Sequence, residues 1–488
     1  MADDDDDKDF GVFVESKLNK RSNKLFGVKW PLKDSAPATT GAYRTATQSA
    51  DDQVLLADGL KVEYLTRNAG NNTDMIAFFP LQNPTHLITC VEGAREQLSG
   101  DANKDAYAVG DKFNPAVQRI SLGDGKVETI LRGMSRCDGI RTTPWGTILV
   151  TEETTDGGTY EILHPLTTTN FTVASRATGA IVDAAGGANT AEIAKRTALP
   201  TMAWEGIAIL PSGVVIAGDE LRPGSIDLNG DGKADNDTDG GAIFKFIPSV
   251  ARSGDGAIAN LAESPFTAGA VYALQVSCVD DTQQYGQGCE IGNAAWISVN
   301  AATARTDANK NGATGYYRPE DLHQDPEYSD AKNPLAVRVC WTDTGNEDGK
   351  NYSEVVCAVD SAPLVADPMQ RTVVANRFVE GDLDFNSFDN LDFQPKTGIL
   401  YVIEDHDNGD IFACLRDGDD RDIKSDGCVK ILSVKDSSAE PTGFIFSADG
   451  ETAYLSIQHS NDERVSKVDD YATDDVLRIT GFKVRKGH

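Results

Sequence analysis

The stretch CDGIRTTPWGTILVTEE, residues 137–153, opens on a polar residue and runs through a short apolar, β-branched segment. It then turns at Pro144-Trp145-Gly146 and closes a second apolar segment on Glu152-Glu153. Runs of four to eight such residues bounded by Pro, Gly and Asp read as paired strands. The same unit recurs as WEGIAILPSGVVIAGDE (204–220), FDNLDFQPKTGILYVIED (388–405) and PTGFIFSADGETAYLSIQH (441–459). Looser copies are DMIAFFPLQNPTHLITCVEG (74–93) and RPEDLHQDPEYSDAKNPLAVRVCWTD (318–343), the latter with a longer turn.

Six strand-built units several tens of residues apart indicate propeller blades rather than a helical solenoid. The expected fold is all-β, a six-bladed β-propeller with insertions; an irregular β-sandwich array is the competing architecture. Residues 1–10 read as a leader, since MADDDDDK carries a cleavage-tag run. Residues 11–65 form an N-terminal extension packing on the propeller, 66–480 the propeller with an insertion around 221–315, and 481–488 a tail. Only the Ala-rich stretch 180–197 suggests a helix.

The 488-residue chain carries 76 acidic and 45 basic residues, a net charge of −31. A duplex nucleic-acid binder needs basic surface to displace counterions, so nucleic acid is excluded as a partner. No apolar run reaches the length of a membrane span, and a monomer is expected. Of the eight cysteines, the close pairs 278/289, 340/357 and 414/428 each bracket a polar stretch, as disulfide-closed loops do. That usage points to an oxidising compartment, periplasmic or secreted. Cys90 and Cys137 remain, in different units, leaving one of them open to act as a free thiolate ligand.

In a propeller the innermost strands line a central channel, so the residues that open them form a ring. In order these are Asp74, Cys137, Glu205, Glu320, Asp389 and Thr442. The residues closing the second strands supply an outer tier: Glu92, Glu152 and Glu153, Asp219 and Glu220, Asp343, Glu404 and Asp405, Gln458 and His459. Burying so many carboxylates requires cations, because even one unpaired buried charge costs several kcal/mol. Six histidines without zinc-motif spacing exclude a His-built zinc site. Oxygen donors suit calcium or magnesium, whereas a thiolate among them suits iron. A separate structural calcium loop is expected at Asp227, Asn229, Asp231, Lys233, Asp235 and Asp237, which follow EF-hand spacing but lack the closing Glu.

No nucleophile elbow, P-loop or dinucleotide fingerprint occurs. CDGIRTTPWGTILVTEE, WEGIAILPSGVVIAGDE, Arg318-Pro319-Glu320, FDNLDFQPKTG and GFIFSADGETAYLSIQH together resemble the PhoX-type alkaline phosphatase family. The resemblance implies an exported six-bladed propeller that hydrolyses phosphomonoesters with an iron–calcium cluster, Fe3+ and Ca2+, in its channel. It further implies Cys137 as the iron-binding thiolate and either Glu152 or Glu153 as a ligand. Glu205 and Glu320 become metal ligands, and Arg318 the contact to substrate phosphate. Glu220, Asp389, Asn390, Glu404 and Asp405 serve as further ligands or their supports. The chain departs from the family pattern at Cys90-Val91-Glu92-Gly93, in its three cysteine pairs and in the 227–237 loop, which marks a distant branch. Two other function classes share the composition: a non-catalytic calcium-binding propeller at the cell surface, and a propeller hydrolase of phosphodiesters, phosphotriesters or lactones.

Overall fold

The computed structural model describes residues 10–99, 107–228, 230–234, 237–277, 290–346, 351–416, 427–458, 465 and 467–484. It is all-β and propeller-like: four sheets of four to six strands and one of nine strands. Each sequence unit forms an antiparallel pair. The inner strands are Thr73–Phe79, Cys137–Thr142, Trp204–Ile209, Pro319–Gln324, Phe388–Phe393 and Glu440–Phe446. They pair with His86–Val91, Ile148–Glu152, Val215–Asp219, Val337–Asp343, Leu400–Glu404 and Thr452–Gln458. Successive inner strands pack on one another and the last packs on the first, so the ring is closed.

Closure is made by chain ends. Lys61–Gly70 adds to Thr473–Thr480 as the outer strand of the last sheet. Val54–Leu56 adds to Cys428–Val434 in the sheet before it. Buried Arg44 fastens this seam, donating to the Thr473 carbonyl at 2.6 Å and pairing with Asp475 at 2.7 Å. The N-terminal helix Phe10–Leu25 places Leu18 against a core cluster holding Tyr401, Phe444, Phe446 and Phe482.

The segment 221–315 contributes strands Ile243–Pro248, Gly269–Val276 and Gly292–Val299 to the nine-stranded sheet. The last of these pairs with Val373–Glu380, joining the sheet of the third unit to that of the fourth. The helix expected over 180–197 is replaced by short strands Ala180–Val182 and Ile193–Lys195. Between them Asp183 accepts the amides of Ala185 and Gly187, and Gly186 sits at φ +84°. The glycine turn and strand pairing override the helical preference of alanine.

One irregularity repeats at every inner strand. The pairing register shifts by one residue between Thr73 and Ile76, Cys137 and Ile140, Trp204 and Ile207, Pro319 and Leu322, Phe388 and Leu391, and Thr442 and Ile445. Each is a β-bulge, which bends the strand and re-aims one side chain. In three units the bulge holds a glycine because the next inner strand comes too close for a side chain. A Cβ at Gly139 would lie 2.2 Å from the Glu205 carbonyl oxygen, and at Gly206 2.1 Å from the Leu322 nitrogen. At Gly443, with φ +58°, it would lie 2.4 Å from the Asp74 carbonyl oxygen.

Candidate metal and phosphate site

The bulges gather carboxylates from distant parts of the chain. Ligand oxygens of Asp74, Glu92 and Asp138 lie within 4.8 Å of one another, as do those of Glu205, Glu320 and Asp389. Asp74 is 7% exposed, Asp138 4%, Glu205 4% and Glu320 1%. No donor among the described residues reaches Asp138 Oδ1 or Glu320 Oε2. Burial pushes Asp138, Glu205 and Asp389 well above the carboxylate range, and neighbouring carboxylates add to it. Glu320 is pushed up to about 7 by burial, with Arg318 holding it back. The inner strand of the last unit offers a hydroxyl instead: Thr442 donates to Asp74, and its Oγ1 lies 2.8 Å from Asn390 Oδ1.

The ring differs from expectation at one position. Cys137 pairs in register with Glu152, as Trp204 does with Asp219 and Phe388 with Glu404; Cys137, Trp204 and Phe388 pack in the apolar core. The residue equivalent to Glu205, Glu320 and Asp389 is Asp138. Strand side chains alternate faces, so a one-residue displacement exchanges the core face for the opposite one. The thiolate role expected for Cys137 is therefore corrected: its Sγ is bonded to Cys90, and both are fully buried in an apolar cluster. Disulfides also join Cys340 to Cys357 and Cys414 to Cys428 as expected. The 278/289 pair lies outside the described residues.

The same alternation resolves the outer tier. Glu152, expected as a ligand, accepts the amides of Ser135 at 2.9 Å and Gly158 at 3.2 Å and pairs with Arg176 at 2.7 Å. Glu404 accepts the amides of Asn386 and Asp410, each at 3.0 Å, and Asp219 that of Ala203 at 3.0 Å. Asp219 also pairs with Arg305. These acids fasten the loops behind the ring, and Glu152 and Glu404, expected as ligands, have their oxygens engaged by backbone amides. One residue further on, Glu153, Glu220 and Asp405 turn towards the ring arginines. Asn390 supports the ring, accepting from the Gly443 amide and donating to Asp389 at 3.3 Å.

Arg318 meets Glu220, Glu320 Oε1 at 2.9 Å and Asp405 at 2.8 Å. Burial opposes its charge, but these three acids hold the guanidinium firmly protonated. The sequence reading missed a second arginine: Arg136 meets Glu92 and, at 2.7 Å, Glu153. Burial and Glu92 push Glu153 up to about 8; burial pushes Glu220 up to about 7 against Arg318. Arg136 and Arg318 occupy equivalent positions just before an inner strand, at φ +49° and +63°. Their carbonyls accept the amides of Glu153 and Thr344. Left-handed backbone at a non-glycine residue costs on the order of 1–3 kcal/mol and gathers at functional sites. The signal was present in the sequence as a repeated Arg-x-acid, Arg136-Cys137-Asp138 and Arg318-Pro319-Glu320. Below the ring, Arg141 pairs with Asp321 at 2.7 Å, and His323 sits between Asp321 at 3.0 Å and Asp392 at 3.4 Å.

In the 227–237 loop, Asp227 accepts the amides of Gly230 and Gly232, and Asp231 that of Lys233. Asp237 accepts the Leu228 amide at 2.9 Å. Asn229 and Asp235, like His459 of the outer tier, lie outside the described residues.

A closed ring of strand pairs that brings together carboxylates and two arginines defines a propeller-like all-β fold with an acidic cluster at the starts of its inner strands. A family model for the alkaline phosphatase PhoX matches residues 115–461. The chain belongs to the PhoX alkaline phosphatase family, and membership makes it an alkaline phosphatase-like phosphoric ester hydrolase. Among solved structures, Pseudomonas fluorescens PhoX in complex with vanadate, a transition-state analogue, superposes with a TM-score of 0.52. It is 16% identical, over 90% of this chain and 98% of that one. A putative glucose dehydrogenase from Thermus thermophilus is a more remote likeness, 12% identical over 86% of this chain and 100% of its own, TM-score 0.41. A search of curated proteins returned no significant match.

Proposed function

We propose that this chain is a metal-dependent phosphomonoesterase whose centre is the ring of bulge carboxylates, set in a propeller of six blades. The blade count takes the nine-stranded sheet as two blades joined by Gly292–Val299. The observation carrying the reading is the convergence of Asp74, Glu92 and Asp138 and of Glu205, Glu320 and Asp389, in which Asp138 Oδ1 and Glu320 Oε2 are buried with no donor among the described residues. So many acids against Arg136 and Arg318 leave a deficit of positive charge that cations fit. Asp74, Glu92 and Asp138 would hold one group of cations and Glu205, Glu320 and Asp389 another. Of the ions implied by the resemblance, Ca2+ and Fe3+, calcium suits these donors.

Cations held there supply Lewis-acid polarisation of the phosphoryl oxygens. The residues do the rest. Arg318, fixed by Glu220, Glu320 and Asp405, presents a guanidinium fork to the non-bridging oxygens of phosphate. Arg136 presents a second from the opposite side of Glu153 and Glu220. Thr442 and Asn390 hold Asp74 and Asp389 in place.

Phosphomonoesters are the substrate class. The test is p-nitrophenyl phosphate hydrolysis before and after exhaustive chelation, then with calcium returned. Turnover lost on chelation and recovered with calcium supports the reading; chelation-insensitive turnover, or none at all, sinks it. A panel with phosphodiesters, phosphotriesters and lactones separates the related hydrolases. Calcium at Asp227, Asp231 and Asp237 is part of the same proposal, as a structural ion. Three disulfides among the described residues fit a periplasmic or secreted protein. No described helix is long and apolar enough to cross a membrane.

A further inference from the structure

The resemblance carries an expectation of thiolate-bound iron, and the donor chemistry of the ring disagrees with it. At the level of the bulges the inner strands present Asp74, Asp138, Glu205, Glu320, Asp389 and Thr442, oxygen donors throughout. The described groups whose ligand atoms come together contain carboxylates only, with no sulfur and no imidazole. Cys137, one residue away from Asp138 and on the opposite face of the strand, packs with Cys90, Ile140 and Val150 in the core. Its sulfur is occupied by the bond to Cys90. A second observation marks Asp138 itself as the ligand. It is 4% exposed, and no donor among the described residues reaches its Oδ1. The anchors Glu152, Asp219 and Glu404 are as deeply buried, yet each accepts a backbone amide. A buried oxygen left without a donor is costly unless a ligand completes it.

We infer that the centre of this chain is an all-oxygen cation site in which Asp138 takes the ligand position, Cys137 is withdrawn into a structural disulfide, and hard cations, calcium first, bind without thiolate-held iron. Soft thiolate ligands select metals such as iron and zinc, whereas carboxylates and hydroxyls suit calcium, magnesium and manganese. Calcium also accepts the six to eight oxygens and the irregular geometry that two adjacent carboxylate groups offer. The inference rests on the ring being a metal centre, and its test separates the two claims.

The test is elemental analysis and visible absorption of the full chain purified without added metal. Wild type is compared with Asp138→Asn, Glu320→Gln and the double variant Cys90→Ser/Cys137→Ser. Calcium is expected in stoichiometric amount, with iron below ~0.1 atom per chain and no thiolate-to-iron charge-transfer band. Bound calcium should fall on Asp138→Asn and on Glu320→Gln but not in the double cysteine variant. Should Asp138→Asn fail to fold, chelated wild type titrated with calcium and separately with ferrous iron decides, calcium raising the Tm at the lower concentration. One iron per chain with a visible band that vanishes in the cysteine variant overturns the all-oxygen centre. Calcium unchanged in Asp138→Asn overturns the role of that residue. No metal in wild type, and no binding on titration, overturns the metal-centre reading itself.

Discussion

Two sets of acids on paired strands of the same units have opposite fates. Asp138, Glu205, Glu320 and Asp389 open the inner strands at the bulges; Glu152, Asp219 and Glu404 close the strands beside them. Both sets are buried, Asp389 only partly. The second set is saturated with donors, including the amides of Ser135, Gly158, Ala203, Asn386 and Asp410 and the guanidinium groups of Arg176 and Arg305. The first set has mostly other carboxylates for company, and burial raises its proton affinity. Burial therefore does not distinguish a proposed ligand from a structural acid. The supply of donors does.

The largest effect should come from removing a ring acid. Glu320→Gln is expected to lower kcat/KM for p-nitrophenyl phosphate by ~10³-fold or more, the several kcal/mol that a Lewis acid supplies. The Tm of the chelated protein should stay level or rise, since one crowded charge is gone; a collapse of the fold would place Glu320 with the anchors. Next, Arg318→Ala should cost ~10²–10³-fold in kcat, the loss usual for one preorganised donor on the transition state. Arg318→Lys should recover only part of this, because an ammonium lacks the planar fork.

Glu152→Gln tests the other side of the comparison. It leaves Arg176 without its full partner and should destabilise the fold by ~3 kcal/mol in denaturant titration, with metal content per folded chain unchanged. Loss of metal at unchanged stability would exchange the two sets.

The smallest effect is a slope. In chelated protein Glu153, Glu220 and Glu320 have folded-state values of about 8, about 7 and about 7, above the ordinary 4.5. The folded chain then holds more protons than the unfolded chain between pH ~4.5 and ~8, so stability declines as pH rises through that window. Melting curves of chelated protein should show this decline, and calcium should flatten it. A chelated protein that gains stability from pH 5 to 8 would mean that these acids are ionised and satisfied without cations.

Much of this was legible before folding. The repeated strand–turn–strand unit sets the all-β class, and Asp74, Glu205, Glu320, Asp389 and Thr442 could be placed on one ring from their position in the unit. Position 137 differs from expectation because the glycine two residues on, rather than the cysteine, marks the register of the unit. Asp138-Gly139 lines up directly with Glu205-Gly206. The choice between Glu152 and Glu153 had no local signal, since it turns on which one meets the Ser135 and Gly158 amides. The Cys90–Cys137 bond had none either, because it joins two units whose contact exists only once the ring closes.

By itself the sequence determined the strand pairs of the six repeated units, the acidity of their inner ends and the family, all of which follow from local pattern. Tertiary structure decided which of two adjacent side chains faces the axis and which acids find donors. A bulge adds one residue to a strand whose side chains alternate, so facing depends on the partner strand, and a carboxylate's role depends on neighbours that arrive from elsewhere in the chain.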